Sequence, residues 1–152
     1  MASYKGLYKV KNSSKYKGDV KNVIYRSLLE RSYMVKLDNA DNVLQWSSEE
    51  IIIPYMSPLD NRMHRYFMDF YVKYKEKDGT IKEILVEIKP DSQTRPPKEP
   101  SRKTKRYFRQ VTTWLVNEAK WNAADAYCKK NGLEFKIITE KELRPYGNKK
   151  RK

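Results

Sequence analysis

The sequence predicts a mixed α/β domain with a central sheet held between helices. Three observations carry that reading. Asp78-Gly79 joins two runs rich in aromatic and branched residues, the strongest short hairpin signal in the chain. Residues 26–38 and 106–131 repeat their apolar positions at helical spacing. The chain runs helix, strands, hairpin, helices, strand, helix within 152 residues, room for one sizeable core and not for two.

In order along the chain, residues 1–21 interleave Tyr4, Tyr8 and Tyr16 with six lysines from Lys5 to Lys21 and show no clean periodicity. They are expected as a basic arm, either free in solution or laid on DNA or a partner protein. A single domain over 22–147 follows, and 148–152 is a charged tail. In 26–38, Tyr33, Met34 and Leu37 share one face, and Glu30 holds the position one turn earlier. Residues 43–46 and 50–55 read as short strands, the second closed by Pro54, and 56–64 as a loop. Strands over 65–75 and 81–90 make the hairpin. Pro96, Pro97 and Pro100, three of the seven prolines, then stand among Lys and Arg in an extended basic loop. Helical spacing returns with Phe108, Val111, Leu115, Ala119, Trp121 and Ala124, with a break expected near Asn117 and Gly132 just past the end. Residues 133–138 are a strand, and Thr139-x-x-Glu142 caps a short last helix.

Thirty-three Lys+Arg against 19 Asp+Glu give a net charge of +14 and a pI near 9.7, and the basic residues crowd particular segments. A polyanion is the expected partner. The single Cys128 excludes an internal disulfide, and with His64 alone beside it no His/Cys metal site can form. Any metal is then a hard cation on oxygen ligands. No apolar run is long enough to cross a membrane, and the opening stretch is hydrophilic, which points to the cytosol or a particle assembled from it. His64 is expected in the loop, with a phosphate contact as the alternative. Trp46, Trp114 and Trp121 are expected in the core.

The chemistry gathers around Asp69 and Glu87-Ile-Lys89. Residues two apart on a strand point the same way, so Glu87 and Lys89 share a face and Val86 and Ile88 take the other. A charge within the apolar strand Ile84–Ile88 is costly unless a partner or a metal satisfies it. Asp69 interrupts an aromatic-rich strand one hairpin away, and Pro90 ends the second strand where an active site needs a free end. Two carboxylates and an ammonium at a sheet end can hold a divalent cation, orient water and neutralise a phosphoryl group. Glu30 has two readings. Ser27-x-x-Glu30 is a capping box in which Glu30 bonds back to the Ser27 N–H; equally, its register with Tyr33, Met34 and Leu37 turns the carboxylate towards the core and the acid pair.

Glu30, Asp69, Glu87 and Lys89, in that order and spacing, resemble the PD-(D/E)xK nucleases of restriction-endonuclease-like fold, with Met68 where that family often has Pro. Tyr25-Arg-Ser-x-x-Glu30, Ile53-Pro-Tyr55, Arg65-Tyr-Phe-Met-Asp69, Glu87-Ile-Lys-Pro90 and Gln93-Thr-x-Pro-Pro97 are similar to the head-completion nucleases of T4-like tailed phages. The similarity runs from Ser14-Lys-Tyr-x-Gly-Asp19 to Ile137-Ile-Thr-Glu140, nearly the whole chain. The resemblance implies a small virion protein acting after DNA packaging, with a core related to transposon end-cleaving endonucleases. It implies Mg²⁺-dependent hydrolysis of double-stranded DNA, with Mn²⁺ as substitute. Asp69, Glu87 and the Ile88 carbonyl are then the metal ligands, Lys89 works on the attacking water, and Glu30 completes the acidic cluster. Arg65, Lys103, Lys105, Arg106 and Arg109 are expected on the DNA backbone, with Gln110 within reach of the site. Phage head or portal proteins are the other expected partners, no membrane or small-molecule substrate is expected, and the setting is the virion or the host cytoplasm. The rival expectation is a structural head-completion or DNA-end-binding protein on the same fold. The four chemically intact positions weigh against it.

Overall fold

The computed structural model describes residues 5–143. In chain order these form β1 (Gly6–Leu7), β2 (Ile24–Tyr25), α1 (Leu28–Asn39), β3 (Val43–Ser48), β4 (Ile52–Met56) and β5 (Met63–Phe67). They continue with β6 (Phe70–Lys75), β7 (Ile81–Ile88), α2 (Lys105–Asn131), β8 (Glu134–Ile138) and α3 (Glu140–Leu143). The central sheet is mixed, in the order β3-β6-β7-β8, with β8 parallel to β7 and the other pairs antiparallel.

Strand alternation sorts the core into two layers. Phe70, Val72, Ile84, Val86 and Ile88 face α1, where they meet Tyr33, Met34 and Leu37. Tyr71 and Leu85 face the other way, onto Trp121, Ala124 and Cys128 of α2 and Ile53, Tyr55 and Tyr66 of the β4–β5 hairpin. The expected opposition of Val86 and Ile88 to Glu87 and Lys89 is therefore the division between these layers.

Local signals place most boundaries. The Ser27 hydroxyl accepts the Glu30 N–H at 3.1 Å to start α1. At the turn between β6 and β7 the Glu76 N–H donates to the Thr80 carbonyl, with Gly79 at φ 89°. Gly132, at φ 71°, ends α2 in the left-handed conformation that costs glycine little. The Thr139 N–H donates to the Glu142 carboxylate at 3.0 Å, as the capping pattern requires, and its hydroxyl accepts the Lys141 N–H at 3.2 Å.

Four expectations change. Residues 5–21 are not a free arm. Tyr8 and Tyr16 are buried in the α1-side core with Trp46, and β1 pairs with β2. Burying each tyrosine is worth roughly 2 kcal/mol, enough to hold a polar segment down. The segment is also tied to the end of α1, where the buried Asp38 accepts the Tyr8 hydroxyl at 2.7 Å and the Lys11 and Asn12 N–H groups at 2.7 and 3.0 Å. The tail at 148–152 and Tyr4 lie outside the described residues. Pro54 stands inside β4, opposite Arg65, rather than closing it; β4 pairs only with β5 among the described residues, an edge position that tolerates a missing N–H. Helix α2 runs through Asn117 without a break. The run expected as one strand over 65–75 is two, β5 and β6, which belong to different sheets.

That last division has a clear cause. Beyond the Ser48–Phe70 pair, residues 49–51 face only residues 68–69 before pairing resumes at Ile52–Phe67. The extra residue is a bulge in one long two-stranded ribbon, and it bends the β4–β5 half away from the central sheet. Glu49 absorbs the bend at φ 57°, and its N–H reaches the carbonyls of Met68 at 3.1 Å and Asp69 at 3.2 Å.

Candidate active site

The β6–β7 register pairs Phe70 with Val86, and one more step along it sets Asp69 opposite Glu87. Sheet register and the ribbon bulge thus bring the two acids together at one end of the central sheet. The Ile88 N–H donates to Asp69 Oδ2 at 2.8 Å, which locks this pairing. Glu87 is buried; its Oε1 accepts the Tyr66 hydroxyl and its Oε2 lies 3.3 Å from Lys89 Nζ. Lys89 keeps about a quarter of its side chain open to solvent, and its N–H bonds the Ile138 carbonyl at 3.0 Å, so β8 fixes where the ammonium starts.

Glu30 enters from the first turn of α1, where its carboxylate also meets the positive end of the helix dipole. Its Oε1 accepts the Arg26 N–H at 3.1 Å, one residue earlier than the expected Ser27. The capping reading of Glu30 therefore holds, at Arg26 in place of Ser27. Burial pushes the Glu30 carboxyl up, the Arg26 N–H draws it down, and the charges of Glu49 and Glu87 push it up again, with a net rise. The Asp69 carboxyl is raised well above the ordinary carboxylate range, first by desolvation and next by the charge of Glu87, against the opposing pull of the Ile88 N–H. Glu30 adds to the rise and Lys89 works against it. Asp69 is half-buried as a residue, yet its carboxyl is largely withdrawn from water.

At Asp69 the charge of Lys89 is outweighed by burial and by Glu87 and Glu30, so an added cation there would be favoured. The donor set suits a hard one, since only oxygen ligands are present. Among the described residues no three Asp, Glu, His or Cys side chains form a metal-holding group by themselves. A divalent ion at Asp69 and Glu87 would therefore complete its shell with backbone, water or phosphate oxygens, as the expected use of the Ile88 carbonyl supposes.

Several participants carry no local sequence signal. Glu49, at the bulge, takes the Arg26 guanidinium at 3.0 and 3.1 Å and lies close enough to raise Glu30. Tyr66 holds Glu87, and burial followed by that carboxylate's charge drives the phenol far above its usual range. Lys120 of α2 places Nζ 5.5 Å from the Tyr66 ring and 5.8 Å from the Tyr55 ring. Only the alternation of Tyr66 with its neighbours on β5 hints at an inward position.

The expected DNA contacts divide. Arg65 stands exposed on β5 with its guanidinium 5.6 Å from the Phe67 ring. Arg106 and Arg109, from the first turns of α2, line an open groove of ≈ 890 Å³ with Arg95 and Lys98 of the preceding loop. Gln110 lines this groove also. Lys103 pairs with Glu99 at 3.4 Å, and neither it nor Lys105 lines the groove. α2 packs on β7, as expected, and also on β4 and β8. His64 is not in the expected loop but in β5, opposite Tyr55, with its ring nitrogen 2.8 Å from Asp60. Trp46 and Trp121 are core residues, and Trp114 packs at the edge of the α2 layer.

Residues 40–140 match the family described as TnsA-like endonuclease N terminal, a stretch that runs from β3 through β8 and contains Asp69, Glu87 and Lys89. The head completion nuclease of Enterobacteria phage T4 is 39% identical over 151 residues, covering 97% of this chain and 98% of that protein. No helix among the described residues is long and apolar enough to cross a membrane. The chain belongs to the TnsA-like endonucleases, as a relative of the phage T4 head completion nuclease with a restriction-endonuclease-like core.

Proposed function

We propose that the protein is a divalent-metal-dependent DNA endonuclease that acts in phage head completion, in the virion or the host cytoplasm, alongside head or portal proteins. The observation that carries the reading is the pairing of Asp69 with Glu87 across the sheet end, with Lys89 3.3 Å from Glu87. Asp69, Glu87 and the Ile88 carbonyl would hold Mg²⁺, with Mn²⁺ as substitute. Bound there, the ion supplies positive charge to the phosphodiester oxygens as negative charge builds on them.

The chain's own residues do the rest. The Ile88 N–H and the Tyr66 hydroxyl fix one oxygen each of Asp69 and Glu87; the second Asp69 oxygen is left for a cation, and the second Glu87 oxygen would be shared between the cation and Lys89. Lys89 orients the attacking water and offsets charge on the pentavalent phosphorane, at a place where low dielectric strengthens its effect. Glu30 adds a carboxylate that can accept a proton from water, since its raised pKa makes it a better base than an exposed acid. Arg65, Arg106 and Arg109 engage the DNA backbone, with Lys103 and Lys105 nearby in the chain. Support comes from a net charge of +14 on a molecule whose reactive end is acidic: the DNA is held by one part and hydrolysed by another.

The test is nicking of supercoiled plasmid in Mg²⁺, in Mn²⁺ and in EDTA. Cleavage with either metal and none in EDTA is expected. Undiminished cleavage in EDTA overturns the metal assignment, and no cleavage under any condition favours the structural or DNA-end-binding role.

A further inference from the structure

The acid cluster leaves the Gln93-Thr-x-Pro-Pro97 segment unused. Its alternate residues Gln93, Arg95 and Pro97 line the ≈ 890 Å³ groove from the loop side. One face of α2, with Arg106, Gln110, Thr113 and Asn117 at helical spacing, lines the other side. The loop is pinned where it leaves β7. A 3₁₀ turn over Asp91–Gln93 closes with the Gln93 N–H on the Pro90 carbonyl at 2.9 Å. The Asp91 N–H donates to Glu140 at 2.8 Å, and the Asp91 carboxylate takes Arg95 at 3.0 Å. Gln93 follows Lys89 by four residues, so the chain keeps this side of the groove within about 14 Å of the Lys89 backbone.

Three observations say what the groove takes. No Asp or Glu lines it, and Lys98, Arg106 and Arg109 pair with no carboxylate among the described residues, so an anion is favoured there. Asn117 is only 8% exposed, yet among the described residues its amide has no hydrogen-bond partner. A buried amide left in that state is costly, and what enters the groove can meet it. Trp114, half-buried on the same face, meets Trp121 edge-on at 80° with centroids 5.7 Å apart, and no ring is stacked upon it among the described residues.

Cations, an unstacked indole and the amides of Asn117, Gln110 and Gln93 are the counterparts of phosphate, base face and base edge. An aromatic set in a basic groove is the means by which single strands are held, since the bases of a duplex are already stacked on one another. The volume lies in the range of small-ligand sites, roughly 300–1,000 Å³, which suits a few nucleotides and not a duplex. We propose that the groove between α2 and the 92–98 loop binds an unpaired stretch of the DNA strand, with a base on Trp114 and its edge on Asn117. The substrate class is then DNA with a single-stranded segment near the cleavage site. This deepens, and rests on, the DNA endonuclease reading.

The test uses the full chain, Trp114→Leu and Asn117→Ala, with thermal melting to check that each fold is kept. Asn117→Ala removes an amide that the described protein does not use, so it carries the test should Trp114→Leu unfold. The probes are a short oligothymidylate and a blunt duplex, titrated in EDTA by anisotropy and tryptophan fluorescence. Wild type binds the oligothymidylate with quenching. Trp114→Leu binds it roughly tenfold more weakly and loses quenching, Asn117→Ala binds it several-fold more weakly, and both keep wild-type affinity for the duplex. Unchanged oligothymidylate affinity in the folded variants overturns the site. Equal losses on both probes overturn it too, by assigning the groove to the duplex backbone. So does thymidine monophosphate that displaces the oligomer at matched concentration, which assigns the groove to a free nucleotide. Plasmid cleavage in Mg²⁺ is followed in parallel. Cleavage without the binding defects removes the single-strand site alone, whereas the binding defects without any wild-type cleavage remove the nuclease reading alone.

Discussion

Asp38 and Asp69 are both carboxylates drawn out of water, and their pKa values move in opposite directions. At Asp38 burial pushes upward, but N–H groups of Lys11 and Asn12 and the Tyr8 hydroxyl more than offset it, and the net shift is down. At Asp69 burial is joined by the charges of Glu87 and Glu30, and the Ile88 N–H cannot balance them. Asp38 has what it needs from its own chain and acts as a clamp for residues 5–21. Asp69 is surrounded by charge of its own sign and gains most from a cation brought in from outside. Burial alone would have ranked Asp38 first; the sign of the shift separates the acid that its own chain satisfies from the one left uncompensated, to which the proposed mechanism gives the reactive role.

The largest expected effect that sharpens this contrast is at Asp69. Asp69→Asn removes one of two carboxylates and should lower single-turnover cleavage by at least about 10²-fold. Chemical denaturation should show stability equal to or above wild type, since a repulsive charge is gone. A large loss of stability would mean that Asp69 is a clamp like Asp38. Lys89→Ala comes next. Cleavage should drop by roughly 10²-fold, while divalent affinity stays equal or rises because a competing cation has left.

Asp38→Asn should behave in the opposite manner. Its amide cannot accept all three donors, so the fold should lose about 2–3 kcal/mol, with cleavage per folded molecule unchanged. The pH dependence has a definite sign. A folded pKa below the ordinary 3.8 contributes stability above that value and loses it as pH falls through the lower folded pKa. The gap between wild type and Asp38→Asn should therefore be constant near neutrality and close below about pH 3.8. Asp69 has the reverse sign: between the ordinary value and its raised folded one, rising pH costs stability. The smallest effect belongs to Glu49→Gly. It loses a partly exposed ion pair with Arg26, worth about 0.5 kcal/mol, and relieves a left-handed φ, so melting should barely move.

What was legible in the sequence was what short-range chemistry decides. Asp78-Gly79 named its turn, Gly132 its helix end, Ser27 its cap, and the period of Tyr33, Met34 and Leu37 the face of α1. The identities of Asp69, Glu87 and Lys89 as a candidate constellation were legible too, because a charge set in an apolar strand is costly unless a partner or a metal meets it. Non-local decisions were hidden. The split at Met68–Asp69 depends on an extra residue in 49–51, on another strand, and nothing in 65–75 announces it. Tyr8 and Tyr16 resemble a solvated arm until Asp38 and Trp46 supply partners 30 residues away in each case. Glu49 and Tyr66 joined the site only once the ribbon had bent.

The most direct test of the central claim is calorimetric titration of Mg²⁺ or Mn²⁺ into wild type, Asp69→Asn and Lys89→Ala, with single-turnover cleavage measured on the same preparations. Wild type should bind and cleave, Asp69→Asn should lose both, and Lys89→Ala should bind at least as well and fail to cleave. Wild-type cleavage rates in either variant would contradict the account.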